Sequence, residues 1–225
     1  MSFKKGFVGG ITVVIVLALA LLPLSHASAI LNRDLTDEIT GTLTNSTPFG
    51  DISSTAPSIP KPDWYTNVTI YYTVASNGSV SDINTFATLA NQTLNDAKGW
   101  SRLGAKFVKV TTGGTLHLVL AQSSLLPSYS SGCSSDWSCT VGNTVIINDD
   151  RWVGASDSWN AAGGSLRDYR NMVINHETGH WLGHGHEFCT GAGNLASVMQ
   201  QQSIDLQSCK FNPWPLDSEL WTSRF

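Results

Sequence analysis

The stretch from His176 to His186 constrains this chain more than any other, because it carries five fixed positions within eleven residues. It contains the pattern His-Glu-x-x-His-x-x-Gly-x-x-His, and the fixed positions are His176, Glu177, His180, Gly183 and His186. On a helix, His176 and His180 share one face and lie roughly 6 Å apart along the axis. Two imidazoles on one face suit a tetrahedral zinc ion.

The remaining positions complete a metal site of the catalytic type. Glu177 is rotated about 100° from His176 around the helix, so it can reach a water activated by the metal without being a ligand. Gly183 can adopt the left-handed conformation that ends a helix, and His186 can then bind from outside it. Three neutral nitrogen ligands leave a fourth position open. We therefore predict one Zn²⁺ held by His176, His180 and His186, with Glu177 as the catalytic residue.

The alternative interpretation is a polar helix whose histidines face solvent. The short form of the motif arises by chance in many helices, but the extended form is expected in roughly one chain of this length in ten thousand. His184 lies outside the fixed spacing. We interpret it as a surface residue or as a residue that supports one of the ligands.

The extended motif resembles that of the metzincin zinc endopeptidases. Metzincins also have a methionine turn beneath the zinc, and Met199 is the methionine that follows the motif in this chain. More narrowly, residues 174–186, together with Cys189 and residues 198–201, are similar to a secreted metzincin-like family best known from actinobacteria, which Lys98–Trp100 also fits. The strong resemblance covers about 45 residues that end at the last cysteine.

The resemblance implies an α+β fold. Its expected parts are a small mixed sheet, a long helix in the N-terminal half, a zinc-site helix, a methionine turn with Met199 and a C-terminal helix. It also suggests that Val145–Asn148 pairs with a substrate backbone by β-augmentation, and an interior strand without that function is the alternative. Some metzincins have a tyrosine two residues after the turn methionine. Gln201 occupies that position here, so the resemblance implies no tyrosine at the reaction centre.

Residues 1–29 have the features of a signal peptide. Lys4 and Lys5 precede about 18 mostly apolar residues, and residues 27–29 form an Ala-Ser-Ala cleavage site. The alternative is an uncleaved anchor, because a stretch of this length can just span a bilayer. We expect a secreted, extracellular protein, or one anchored to the cell envelope and in contact with a membrane only if this segment is retained.

Charge and composition divide the rest of the chain. Loss of Lys4 and Lys5 changes the net charge from −4 to −6, which argues against a nucleic-acid partner. Residues 30–60 are rich in Thr, Ser, Pro and Gly and are predicted to be a flexible linker or propeptide. Residues 61–225 are long enough for a single domain. We expect this domain to be a monomeric, metzincin-like zinc peptidase domain.

Periodicity predicts the main elements of this domain. Residues 68–74 alternate as a half-buried strand, and a helix is predicted from the N-cap Asp82 to Gly99. Ser165 and Asp168 form a capping box at the start of the zinc-site helix. Further short strands are predicted over 107–110, 116–120 and 144–148, with a closing helix over 216–221.

The four cysteines of an exported chain predict two disulfides. Of the three possible connectivities, we favour Cys133–Cys139 and Cys189–Cys209, because each pair flanks one local loop. The second pair encloses Met199. The competing role, thiolate ligands for zinc, lacks the Cys-x-x-Cys spacing.

These observations favour a secreted zinc-dependent metalloendopeptidase. It would hydrolyse peptide bonds of a protein or peptide substrate through a zinc-activated water, with Glu177 as general base. One alternative is an exported cell-envelope binding module that retains a zinc site for stability. Glu177 argues against that reading, since a purely structural site has no use for the carboxylate. Another alternative is a zinc hydrolase of a cell-wall amide, which only substrates can distinguish.

Overall fold

A five-stranded mixed sheet lies at the centre of the computed structural model, which describes residues 67–225. The strands are β1 (Val68–Asn77), β2 (Ala105–Lys109), β3 (Leu116–Ala121), β4 (Cys139–Val141) and β5 (Thr144–Asn148). Their order is β2-β1-β3-β5-β4. Only β4 runs antiparallel to its neighbour. The expected small mixed sheet with accompanying helices is confirmed. The predicted signal peptide or anchor (1–29) and linker (30–60) lie outside the described residues.

In residues 67–225, four α-helices accompany the sheet: α1 (Ile83–Leu94), α2 (Asp149–Gly154), α3 (Asp157–Ala161) and α4 (Leu166–Leu182). In the described part of the chain, no helix is long and apolar enough to cross a membrane.

Helix α1 begins as predicted, because the side chain of Asp82 accepts hydrogen bonds from the main-chain N–H groups of Asn84 and Thr85. It ends at Leu94, five residues before the predicted end at Gly99. The reason is Asn95, whose side chain bonds both the N–H and the carbonyl of Phe107 in β2, each at 3.0 Å. The contact with the sheet stops the helix.

The main core lies between one face of the sheet and helices α1 and α4. Its largest fully buried side chains are aromatic: Trp100, Trp152, Trp159, Tyr72, Tyr169 and Phe86. A smaller apolar cluster covers the other face of β3 and β5 and includes Leu126 and Cys133 from the connection that precedes β4. Strands β3 and β5 are therefore buried on both faces, as is usual for parallel strands.

Strand β5 occupies an interior position, with β3 on one side and β4 on the other. The suggestion that Val145–Asn148 pairs with a substrate is therefore wrong, because its main-chain groups are already bonded within the sheet. A tight turn through Gly142 (φ +58°) folds Cys139–Val141 back as the edge strand. Residues 122–143 read as a polar loop in sequence, so the edge strand was not apparent there.

Helix α4 begins at the predicted capping box, where Ser165 Oγ accepts from the N–H of Asp168 at 3.0 Å. It ends at Leu182, and Gly183 follows with φ +110°. At the end of the chain, the helix expected over 216–221 is reduced to one 3-10 turn, Asp217–Glu219. The helix does not continue because the N–H of Trp221 bonds the carbonyl of Glu219, only two residues back, at 2.9 Å.

Candidate metal centre

Three histidine side chains converge at the C-terminal end of α4. Nε2 of His180 lies 3.2 Å from Nε2 of His176 and 3.1 Å from Nε2 of His186. Two nitrogen ligands of a tetrahedral zinc, each bonded at about 2.05 Å, lie roughly 3.3 Å apart. The spacing therefore fits one zinc ion. In residues 67–225, this is the only group of three metal-ligating side chains that could hold an ion.

Hydrogen bonds orient two of these rings. Nδ1 of His176 lies 2.8 Å from the carbonyl oxygen of Val198, and Nδ1 of His180 lies 2.9 Å from that of His184. A carbonyl oxygen only accepts, so each Nδ1 carries the proton. Each Nε2 therefore presents its lone pair to the other histidines, as a metal ligand must. For these two histidines, the tautomer as well as the distance fits zinc.

Burial keeps the histidines neutral. Loss of solvent lowers the pKa of His176 to about 3, with a further contribution from neighbouring His180. Burial also lowers the pKa values of His180 and His186. Neutral imidazole is the form that binds a metal, so protons compete weakly for this site at neutral pH.

Glu177 lies beside the histidines and is 5% exposed. Its Oε2 accepts a hydrogen bond of 2.9 Å from Thr140 Oγ1 on β4. In the metal-free protein, burial raises the pKa of Glu177 to about 8, and the hydrogen bond from Thr140 opposes that shift. The carboxyl lines the same groove as the three histidines but does not belong to the ligand cluster.

Met199 packs directly against α4. It is fully buried, and a Cβ atom placed on Gly179 would overlap its sulfur and crowd the ring of Trp100. Gly179 lies just before His180, so the methionine turn reaches the helix only because this position has no side chain. The helix and the turn therefore form one packed unit beneath the histidines.

The methionine turn is held by a buried carboxylate that the sequence did not indicate. Glu219 accepts hydrogen bonds from the hydroxyl of Ser197 and from the N–H groups of Val198 (3.1 Å), Met199 (3.0 Å) and Leu216 (2.7 Å). Burial raises the pKa of Glu219, and these hydrogen bonds oppose the shift. The carboxylate fixes the turn whose carbonyl orients His176.

His184 is buried, so its interpretation as a surface residue is wrong. Its ring stacks against Trp100, with centroids 5.0 Å apart, and Nε2 bonds the carbonyl of Trp221 at 3.0 Å. Its main-chain carbonyl, rather than its ring, supports the ligand His180. This support comes from the tight turn after Gly183.

A groove of about 550 Å³ runs over the histidines and Glu177. Strand β4 lines one part of it, and residues 201–204 after the methionine turn line another. The exposed Gln201, at the position where some metzincins have tyrosine, belongs to this lining. Tyr169 lines the groove too, and its hydroxyl bonds Ser203 Oγ at 3.0 Å.

Two disulfides constrain the segments that carry Thr140 and Met199. Cys133 is bonded to Cys139 and Cys189 to Cys209, and these are the two pairs that the sequence favoured. Cys139 immediately precedes Thr140, so the first disulfide secures the edge strand. The second closes the loop that contains Met199.

Sequence reasoning missed three groups at this site: Thr140, the Val198 carbonyl and Glu219. Thr140 lies in a stretch read as a loop, and only its neighbour Cys139 marked the position. Every residue has a main-chain carbonyl, so the sequence does not indicate which one supports a ligand. Glu219 was visible only as one of two acidic residues, with Asp217, between Leu216 and Leu220.

Comparison with known proteins assigns a family. The family described as "Protein of unknown function (DUF3152)" matches residues 36–217. The chain belongs to this DUF3152 family. No curated protein matches it at a significant level. A solved structure of archaemetzincin from Methanopyrus kandleri is similar, with 13% sequence identity and a TM-score of 0.41 over 72% of this chain and 94% of that chain. The specific resemblance to an actinobacterial family stays a prediction.

Proposed function

We propose that this DUF3152 protein is an exported zinc-dependent endopeptidase. The observation that carries the proposal is the convergence of three neutral histidine Nε2 atoms beside the buried carboxyl of Glu177 in one groove. His176, His180 and His186 would hold the ion. Bound zinc supplies Lewis acidity, which lowers the pKa of a water and polarises a carbonyl.

Glu177 carries the proton in this reaction. Beside a divalent cation, its carboxyl ionises more readily than in the metal-free protein. The carboxylate accepts one proton from the attacking water, whose oxygen forms the new bond to the carbonyl carbon. Glu177 then gives that proton to the nitrogen as the C–N bond breaks. The products are a carboxyl and an amine, and the carboxylate is regenerated.

Strand β4 is the element that would bind the substrate backbone. Within the described sheet, Cys139–Val141 pairs with β5 on one side only, and Cys139 and Thr140 line the groove. An extended peptide can add to such an edge through main-chain hydrogen bonds, which accept many sequences. An endopeptidase needs this tolerance along the chain that it cleaves.

Disulfides form and persist in oxidising compartments, and this protein has two. Export therefore belongs to the proposal. The protein would act as a monomer on protein or peptide substrates, and it would have no nucleic-acid partner.

Cleavage of a diverse peptide library by the full chain, beside Glu177→Gln, tests the proposal. We expect the wild type to bind one zinc and cleave internal peptide bonds. Glu177→Gln should keep the zinc and lose at least about 100-fold in kcat/KM, the usual contribution of a general base. Near-wild-type cleavage by Glu177→Gln at equal zinc content would contradict the role of Glu177 as general base.

Two other outcomes correspond to the alternative functions. If zinc is bound but no peptide is cleaved, the same proteins should be offered cell-wall fragments that contain amide bonds. Hydrolysis of those fragments, lost in Glu177→Gln, indicates a cell-wall amide hydrolase. Binding without hydrolysis by either protein indicates a cell-envelope binding module.

A further inference from the structure

The side chain of Thr140 lies within hydrogen-bond distance of two oxygen atoms of Glu177. It lies in the middle of the edge strand β4, and its Oγ1 is 2.9 Å from two acceptors of one residue, Oε2 and the main-chain oxygen of Glu177. In the described part of the chain, no other side chain forms a hydrogen bond with the Glu177 carboxyl. Thr140 therefore holds Oε2, while Oε1 has no side-chain partner within residues 67–225 and is available to a molecule bound in the groove.

The two equal distances matter because a hydroxyl can donate one hydrogen and also accept. When Glu177 is a carboxylate, the hydroxyl of Thr140 donates to Oε2. When Glu177 is a carboxylic acid, Oε2–H can donate to Oγ1, and the Thr140 hydrogen rotates to the main-chain oxygen of Glu177. Neither change requires a heavy atom to move.

We propose that Thr140 is a positioning residue, which holds the Glu177 carboxyl in one orientation both before and after Glu177 takes up a proton. The proposal rests on the assigned role of Glu177 in peptide hydrolysis. A general base that becomes a general acid needs a partner suited to both states, and burial limits the water that could provide one. A lone hydroxyl with two acceptors meets that need.

A simpler role for Thr140 is to fasten β4 to α4. Thr222 offers a matched comparison, because its hydroxyl donates to the carbonyl of Leu182, also in α4, at 2.9 Å and does not contact Glu177. If fastening is the whole effect, removal of either hydroxyl should act through stability alone. If Thr140 positions Glu177, only its hydroxyl should matter for turnover.

The test compares Thr140→Val, which keeps the shape and removes the hydroxyl, with Thr140→Ser, which keeps the hydroxyl. In the zinc-loaded full chain, we expect Thr140→Val to lower kcat about 10- to 100-fold with KM within about twofold, because positioning acts on the transition state. Thr140→Ser should lie within about threefold of the wild type, and Thr222→Val within about twofold. Zinc content should be equal in all four proteins.

A second readout does not depend on turnover. In the metal-free protein, the infrared absorption band of the Glu177 carboxyl is identified by subtracting the spectrum of Glu177→Gln. This band should shift in Thr140→Val and stay in place in Thr140→Ser and Thr222→Val. If Thr140→Val does not fold, Thr140→Ala gives the same comparison without a new methyl group.

The two readouts separate the proposals. An unshifted band in Thr140→Val, or unchanged kcat with an active wild type, overturns the role of Thr140. A loss in Thr140→Ser as large as in Thr140→Val also overturns it, because the methyl group would then be responsible. If the wild type cleaves no peptide while the band shifts as expected, the endopeptidase function falls and the contact between Thr140 and Glu177 stands.

Discussion

The ring of His176 and the carbonyl of Val198 are joined by a hydrogen bond of 2.8 Å between Nδ1 and the main-chain oxygen. The N–H of the same residue, Val198, donates to the buried Glu219 carboxylate at 3.1 Å. A candidate zinc ligand is therefore connected through a single residue of the methionine turn to an acid near the end of the chain. The orientation of the ligand depends on how well Glu219 holds that turn.

Glu219→Gln should weaken zinc binding by about 10- to 100-fold, the usual effect of losing support behind a metal ligand. The amide keeps the size of the side chain, but its NH₂ group meets N–H donors instead of accepting from them. Equilibrium competition with a chelator measures the change. The control is Asp157→Asn, which removes the charge of an exposed acid at the start of α3, outside the candidate metal centre. Equal zinc affinity in the two variants would contradict the role of Glu219.

Gly179→Ala should destabilise the protein. Alanine in a helix normally gains about 1 kcal/mol over glycine, but here the new methyl group overlaps the Met199 sulfur and crowds Trp100. Overpacking of this kind costs about 1–3 kcal/mol, so the net change should be a loss. The free energy of unfolding in urea measures it. Gly185→Ala is the control, because a Cβ there meets no atom within 4 Å. A more stable Gly179→Ala protein would refute the close packing.

The two disulfides should have separable effects. Replacing Cys189 and Cys209 with serine opens a 20-residue separation around Met199 and should cost about 3 kcal/mol by chain entropy, with weaker zinc binding. Replacing Cys133 and Cys139 opens a separation of 6 residues and should cost about 2 kcal/mol. Because it frees β4, this second change should lower kcat while zinc stays bound. Metal analysis and kinetics on both double variants check the distinction, and identical profiles would contradict it.

The metal-free protein should show a specific dependence of stability on pH. The folded-state pKa of Glu177 is raised to about 8, above its ordinary value of 4.5. Between these values, the folded protein keeps a proton that the unfolded chain releases, so stability falls as pH rises, by up to about 1.4 kcal/mol per pH unit. Glu177→Gln cannot ionise and loses this dependence.

The measured quantity is the difference in unfolding free energy between Glu177→Gln and the wild type, with chelator present. It should grow from about pH 5 to about pH 8 and then level off. Contributions from the histidines are common to both proteins and cancel. A difference that is constant over this range would show that the Glu177 carboxyl is hydrated in the folded protein.

Local patterns in the sequence were enough to predict helix α4, with His176 and His180 on it and His186 just after its end. The four-residue spacing of His176 and His180 is a property of one helix, and Gly183 turns the chain within the next residues. The capping box at Ser165 and the N-cap at Asp82 are likewise local, and the structure shows both. Predictions failed where a distant group intervened, as at Asn95, which ends α1 early by bonding to β2.

By itself, the sequence determined the candidate ligands, the proposed general base and the helix that carries them, because these depend on contacts within a few residues. Tertiary structure decided which strand forms the edge of the groove and which groups orient the site. Thr140 is 37 residues from Glu177, and Val198 is 22 residues from His176. Hydrogen bonds over such separations depend on how the sheet, helix and turn pack together, and no periodicity in the sequence records that packing.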